Sequence, residues 1–200
     1  MNRKTIKKIV ISLFFLLLCV FLVVFIYSLH SPVNCKVKKI EIIKYKNSYT
    51  LNEDIESIRR AVINNSIEST PQYQYFYGAK EFDYESNTSD FIRVVFTCNI
   101  RSNSWKNISQ GKIMVKDLPK DDPAFIRAEL NDMVFFNRPA NKKETICIVM
   151  YTKGLTEKEI EAKIKEISLL FIFHSNGKSS SVDVLGINSC DTSYREWTLD

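Results

Sequence analysis

Apolar and polar positions divide the chain into two parts with different rhythms. Arg3, Lys4, Lys7 and Lys8 precede a block from Ile9 to Tyr27, nineteen residues without a charge. At about 1.5 Å per residue this block makes a helix of roughly 28 Å, close to the hydrocarbon thickness of a bilayer. It is apolar on every face, which a soluble domain of this size has no interior to hide. The pattern predicts a transmembrane segment over 9–29, a basic flank over 1–8, a linker over 30–34 and a domain over 35–200. Residues 28–35, SLHSPVNC, offer no small-residue cleavage site, so the segment reads as an uncleaved signal anchor.

Past the linker the period shortens. Residues 35–46, CKVKKIEIIKYK, alternate apolar and lysine positions as a strand with one wet face. Thr50 with Glu53 matches a capping box, and Leu51, Ile55, Ile58 and Val62 share a helical face, predicting a helix over 50–64. Tyr73, Tyr75 and Tyr77 alternate in QYQYFY. In 91–100, Ile92, Val94, Phe96, Cys98 and Ile100 fall in phase, the clearest strand in the chain. A short strand over 111–118 follows. Asp121-Asp122-Pro123 reads as a helix start and predicts a helix over 123–133. Residues 139–143 read as a loop and 144–152 as a strand. Thr156 and Glu159 form a second capping box, opening a helix to about Ile167. Two apolar runs around Asn176-Gly177 carry the signature of a hairpin. The tail from Asn188 onward reads as polar. This order predicts an α+β fold: one domain with a mainly antiparallel sheet covered by about three helices.

Charge matters once it is located. The net charge is +5, but without the four cations of the flank the chain holds twenty-four basic and twenty-three acidic residues. The positive charge a nucleic-acid domain needs is therefore absent from the folded part. The flank instead orients the anchor. Its cations abut the block on the N-side, and long domains translocate largely regardless of charge, which predicts an N-terminus inside and a domain outside the cell membrane.

Candidate chemistry is sparse. Cys35, Cys98, Cys147 and Cys190 lie in the domain and are candidates for disulfides in an oxidising compartment, with a Cys35–Cys190 bridge able to pin the domain's two ends. No spacing of His, Cys, Asp or Glu suits a metal, and no phosphate-cradling or nucleophile-elbow motif occurs, so no cofactor is expected. Val94-Val95-Phe96-Thr97-Cys98 resembles the strand-borne cysteine motif of sortases, which implies a thiol-dependent transferase using Cys98. That family places a histidine before the cysteine within the same domain, whereas the earlier histidine here is His30. Its arginine lies on a later strand, whereas Arg101 follows Cys98 by three residues. Tyr73, Tyr75 and Tyr77 form a candidate binding surface. Lys36, Lys38 and Lys39 are a membrane-proximal basic group.

Abundant Lys, Asn and Ile suggest an AT-rich genome, as in low-GC Gram-positive bacteria. Together these readings predict a single-pass, extracytoplasmic binding protein without catalysis. Its layout is that of an immunity protein neutralising a toxin at the outer face of the membrane, with an envelope-complex subunit or accessory protein as the alternative. The expected partners are the lipid bilayer through 9–29 and a protein, with no nucleic acid.

Overall fold

The computed structural model describes residues 3–29, 33–44, 53, 55–60, 72–76, 88–102, 108–119, 122–130, 134–136 and 141–196, with side chains in the first helix described over 11–25. The chain separates into two compact units, Met1–Pro32 and Val33–Asp200.

The first unit contains α1 (Arg3–Leu29). Thirteen large apolar side chains between Ile11 and Phe25 are each between 42% and 65% exposed, and they point to all sides of the helix. Judged on the described residues alone, no helix is long and apolar enough to cross a membrane.

The second unit is a mixed α+β domain with mostly antiparallel sheets. Its strands are β1 (Val33–Lys44), β2 (Tyr73–Tyr75), β3 (Phe91–Ser102), β4 (Ile108–Asp117), β5 (Phe125–Glu129), β6 (Val134–Phe135), β7 (Asn141–Tyr151), β8 (Ser168–Ser175), β9 (Lys178–Asp183) and β10 (Thr192–Glu196). The larger sheet has the order β10-β1-β3-β7-β5-β2, and the smaller one β6-β4-β8-β9. Pairing between these strands is antiparallel except between β1 and β10, and an isolated parallel bridge joins Lys36 of β1 to Leu185.

One face of each sheet feeds a common core. Val37, Ile40 and Ile42 of β1 and Val94, Phe96 and Ile100 of β3 join Ile113 and Val115 of β4 and Phe171 and Phe173 of β8. A bulge between Val37 and Lys39 keeps the core phase of β1 while leaving Lys38 and Lys39 both exposed. Gly111 of β4 sits so close to the Phe171 ring that a β-carbon there would lie 2.4 Å from its Cζ.

The helix α2 (Glu157–Lys165) buries Ile160 and Ile164 in this core. Its capping box forms as read from the sequence: Thr156 Oγ1 accepts from the Glu159 backbone N–H, and Glu159 Oε2 accepts from the Thr156 backbone N–H at 2.7 Å. The predicted hairpin also forms, with Asn176 and Gly177 at φ of 51° and 74°, the two positive values a type I′ turn needs.

Several expectations need correction. A second sheet, rather than three helices, covers the larger one; the other helical cover among the described residues is 55–60, part of the expected helix over 50–64. The helix expected over 123–133 is instead the turn Asp122–Ala124 followed by β5. The Asp122 carboxylate does accept from the Ala124 N–H at 2.9 Å, but the cap closes a turn. Phe125, Ile126, Arg127 and Ala128 are all buried between β7 and β2, and that tertiary setting overrides the local signal. The polar tail holds β10, whose register with β1 runs from Ile40 opposite Thr192 to Lys44 opposite Glu196. Asn141, Lys142 and Lys143, expected in a loop, open β7.

Candidate functional site

Among the described residues no second sheet lies over the outward face of the larger sheet, and the antiparallel register fixes which residues share it. Across β1, β3, β7, β5 and β2, one row reads Ile43, Arg93, Val149, Arg127, Tyr75; the next reads Glu41, Val95, Cys147, Glu129, Tyr73. On β10 these rows continue to Arg195 and Ser193. At one end of the face, Ile55 and Ile58 pack with Phe91, Ile126 and Val149, with Tyr75 and Tyr151 at the margin.

Within these rows charge and aromatic surface are joined. An Arg93 guanidinium nitrogen lies 2.5 Å from both carboxylate oxygens of Glu129, and each of these side chains is about a fifth exposed. Arg127, only 1% exposed, donates to the same carboxylate at 3.3 Å. Its guanidinium carbon also lies 4.6 Å from the centroid of the Tyr73 ring. Two guanidiniums therefore share one carboxylate, and one of them rests on an aromatic face, a contact worth up to about 2 kcal/mol when desolvated.

Tyr73 and Tyr75, expected as a binding surface, do sit on this face, with ring centroids 6.2 Å apart and both half-buried. Tyr77 lies outside the described residues. Gln74, between them, turns inward and bonds the Val115 backbone, donating to its carbonyl at 3.1 Å and accepting from its N–H at 3.3 Å. Arg93, Arg127 and Glu129 were not singled out from the sequence. Arg127 and Glu129 fell in a stretch with a helix signal, and Arg93 looked like one polar position in an alternating strand. Only the pairing of β3, β7 and β5 brings them together.

The cysteines split between the two faces. Cys147 is outward, opposite Val95 and Glu129. Burial pushes its thiol up to about 11, against the pull of Arg93. Cys35 and Cys98 are inward, at diagonal positions on β1 and β3, and Cys190 packs against the same core. In this structure all four are free thiols, and Cys147 lies on the opposite face of the sheet from Cys98. Cys98 is fully buried. A hydrogen bond with Cys35, together with burial, raises its pKa far above the ordinary thiol value. The thiolate that a sortase-like transferase uses is disfavoured in this setting. His174 lies on β8, in the other sheet.

Lys36, Lys38 and Lys39 are exposed on β1, with Lys39 Nζ 2.8 Å from Glu41 Oε1. A cleft of about 410 Å³ lies by the 184–189 loop and is lined by Lys116, Ile167, Leu169, Asp183 and Leu185 among others. The Lys116–Asp183 pair at 2.7 Å is about half exposed, so it contributes at most about 1 kcal/mol and offers no activated group.

Comparison with family models, with curated proteins and with solved structures finds no match for this chain.

Proposed function

We propose that the chain is a single-pass membrane-anchored binding protein. Its domain lies outside the cell membrane and holds a protein partner without catalysis. The observation that carries this reading is α1. A helix with large apolar side chains exposed on all sides is stable where the medium is itself apolar, and its backbone bonds are satisfied internally, as a bilayer demands. The charge-free stretch within it, from Ile9 to Tyr27, has the length of a span.

Tyr73, Tyr75, Arg93 and Glu129, all partly exposed, support the choice of binding face, with the buried Arg127 ordering Tyr73 and Glu129. Arg and Tyr anchors that are pre-ordered by their own contacts are the residue types that dominate protein interfaces. The layout, an anchor with one small ectodomain, suits an immunity protein that neutralises a toxin acting at the outer face. An envelope-complex subunit is the other partner class.

Two measurements test the proposal. On alkaline extraction the full chain is expected to stay with the membrane, and protease added outside intact cells is expected to remove the domain; release into the soluble fraction overturns the anchor. A photo-crosslinker at Tyr73 of the membrane-bound chain is expected to capture one secreted protein whose killing activity the chain abolishes. Capture of resident envelope proteins instead assigns the chain to an envelope assembly.

A further inference from the structure

The outward face carries a second surface, next to the Arg–Glu–Tyr rows and different in chemistry. Its rows run from the Val33 end of the larger sheet. The first joins Asn34, Arg101 and Asn141; the second Lys36, Asn99 and Lys143; the third Lys39, Thr97 and Thr145. The bulge at Lys38 adds that residue to the exposed set. Lys36, Lys38, Lys39, Arg101 and Lys143 are all exposed. Among the described residues of these three rows there is no acid; the first is Glu41, in the next row, which meets Lys39. The remaining positions on β1, β3 and β7 are Asn and Thr, small and polar, and beyond β1 the Lys36 row meets the exposed Leu185. The sequence showed only the β1 lysines of this group, because Arg101 and Lys143 reach it through strand pairing.

We infer that this face binds the anionic headgroups of the membrane leaflet from which the domain emerges, an inference that rests on the anchor reading. Its composition favours lipid over protein. Four of its five cations are lysines, which are depleted from protein interfaces, whereas the neighbouring rows hold the Arg and Tyr that such interfaces favour. Lysine is a hydrated point charge on a flexible stem, suited to a fluid layer of phosphates rather than to one fixed carboxylate. The face also belongs to the first strand laid down after the apolar helix, β1 beginning at Val33 and α1 ending at Leu29. Each cation held near an anionic surface strengthens attachment roughly fivefold at moderate salt.

The test uses the full chain in nanodiscs of phosphatidylcholine alone, or of phosphatidylcholine with phosphatidylglycerol. Lysines are acetylated briefly and counted by mass spectrometry, with Lys178 of β9 as internal reference. Expected is a several-fold fall in labelling of Lys36, Lys39 and Lys143 relative to Lys178 in the anionic discs. High salt is expected to reverse it. A chain carrying Lys38→Gln and Arg101→Gln is expected to show a smaller fall at the three remaining lysines. Equal labelling in both lipids, with the chain embedded, overturns the inference and leaves the anchor standing. Protection that appears only when an acidic protein is added, in either lipid, also overturns it. Failure of the chain to co-purify with either disc removes the anchor and the inference together.

Discussion

At the scale of single residues, two cysteines on opposite faces of the larger sheet, three register positions apart on paired strands, have raised pKa values in different surroundings. Cys98 is held protonated by the core and by Cys35. Cys147, on the outward face, is held protonated by desolvation that outweighs the Arg93 charge. With a pKa near 11 against the ordinary 9.0, its thiolate is about a hundredfold scarcer at pH 8. Native alkylation at that pH is expected to be about a hundredfold slower at Cys147 than at an unperturbed thiol, rising tenfold per pH unit, with Cys98 slower still. Timed quenching and peptide mass spectrometry check both rates; ordinary reactivity at Cys147 would contradict the packing around Arg93 and Glu129.

At the scale of elements, the start of α2 sets a pH dependence. Glu159 lies in the capping box, where the Thr156 backbone N–H and then its hydroxyl hold the carboxyl below its ordinary 4.5. The folded chain therefore gains from this charge at pH above about 4.5 and loses the gain as pH falls through the lower folded value. Glu144 on β7 acts with the opposite sign. Burial, only partly countered by Lys142, raises its carboxyl, so its contribution is present in acid and fades as pH rises past 4.5. Glu159→Gln is expected to shrink the loss of stability on going from about pH 5 to pH 3, and Glu144→Gln to enlarge it. Urea midpoints across that range give both signs.

The same element scale shows why some of the fold was legible and some was not. The α2 box, the Asn176-Gly177 turn and β3 are written in residues a few positions apart, so their signals survive without the rest of the chain. β5 is not: Pro123 and Asp122 signal a start without naming the element, and burial on both faces decides it as a strand. β10 has too little apolar content to announce itself, because its Ser193 and Arg195 face outward and only Tyr194 packs against the core. The candidate site was half legible for the same reason. Tyr73 and Tyr75 stand out by alternation, whereas the partners that give them an electrostatic role come from strands about 20 and 50 residues further along.

At the scale of the whole molecule, the division at Pro32 implies that the domain carries its own core. Among the described residues, all the core residues that join the two sheets come from the second unit. A fragment beginning at Val33 is expected to stay monomeric without detergent and to unfold in one transition. Its urea midpoint should lie close to that of the domain in the full chain. Near-ultraviolet circular dichroism and a denaturant titration test this. A fragment that lacks fixed aromatic signals would show that residues 1–32 contribute to the fold.

The parallel pairing of β1 with β10 has a consequence in time. The first strand of the domain finds one neighbour, β3, about 60 residues later, but its other edge is met only by Leu185 and by β10 at 192–196. During synthesis, β1 therefore waits with an open edge until residues 185–196 have been made. Contacts of such long sequence separation slow folding and lengthen the exposure of strand edges. The exposed lysines of β1 then gain a second role, as charges that keep an unfinished edge from pairing with another chain. The larger sheet closes on that side only once residues 185–196 reach β1.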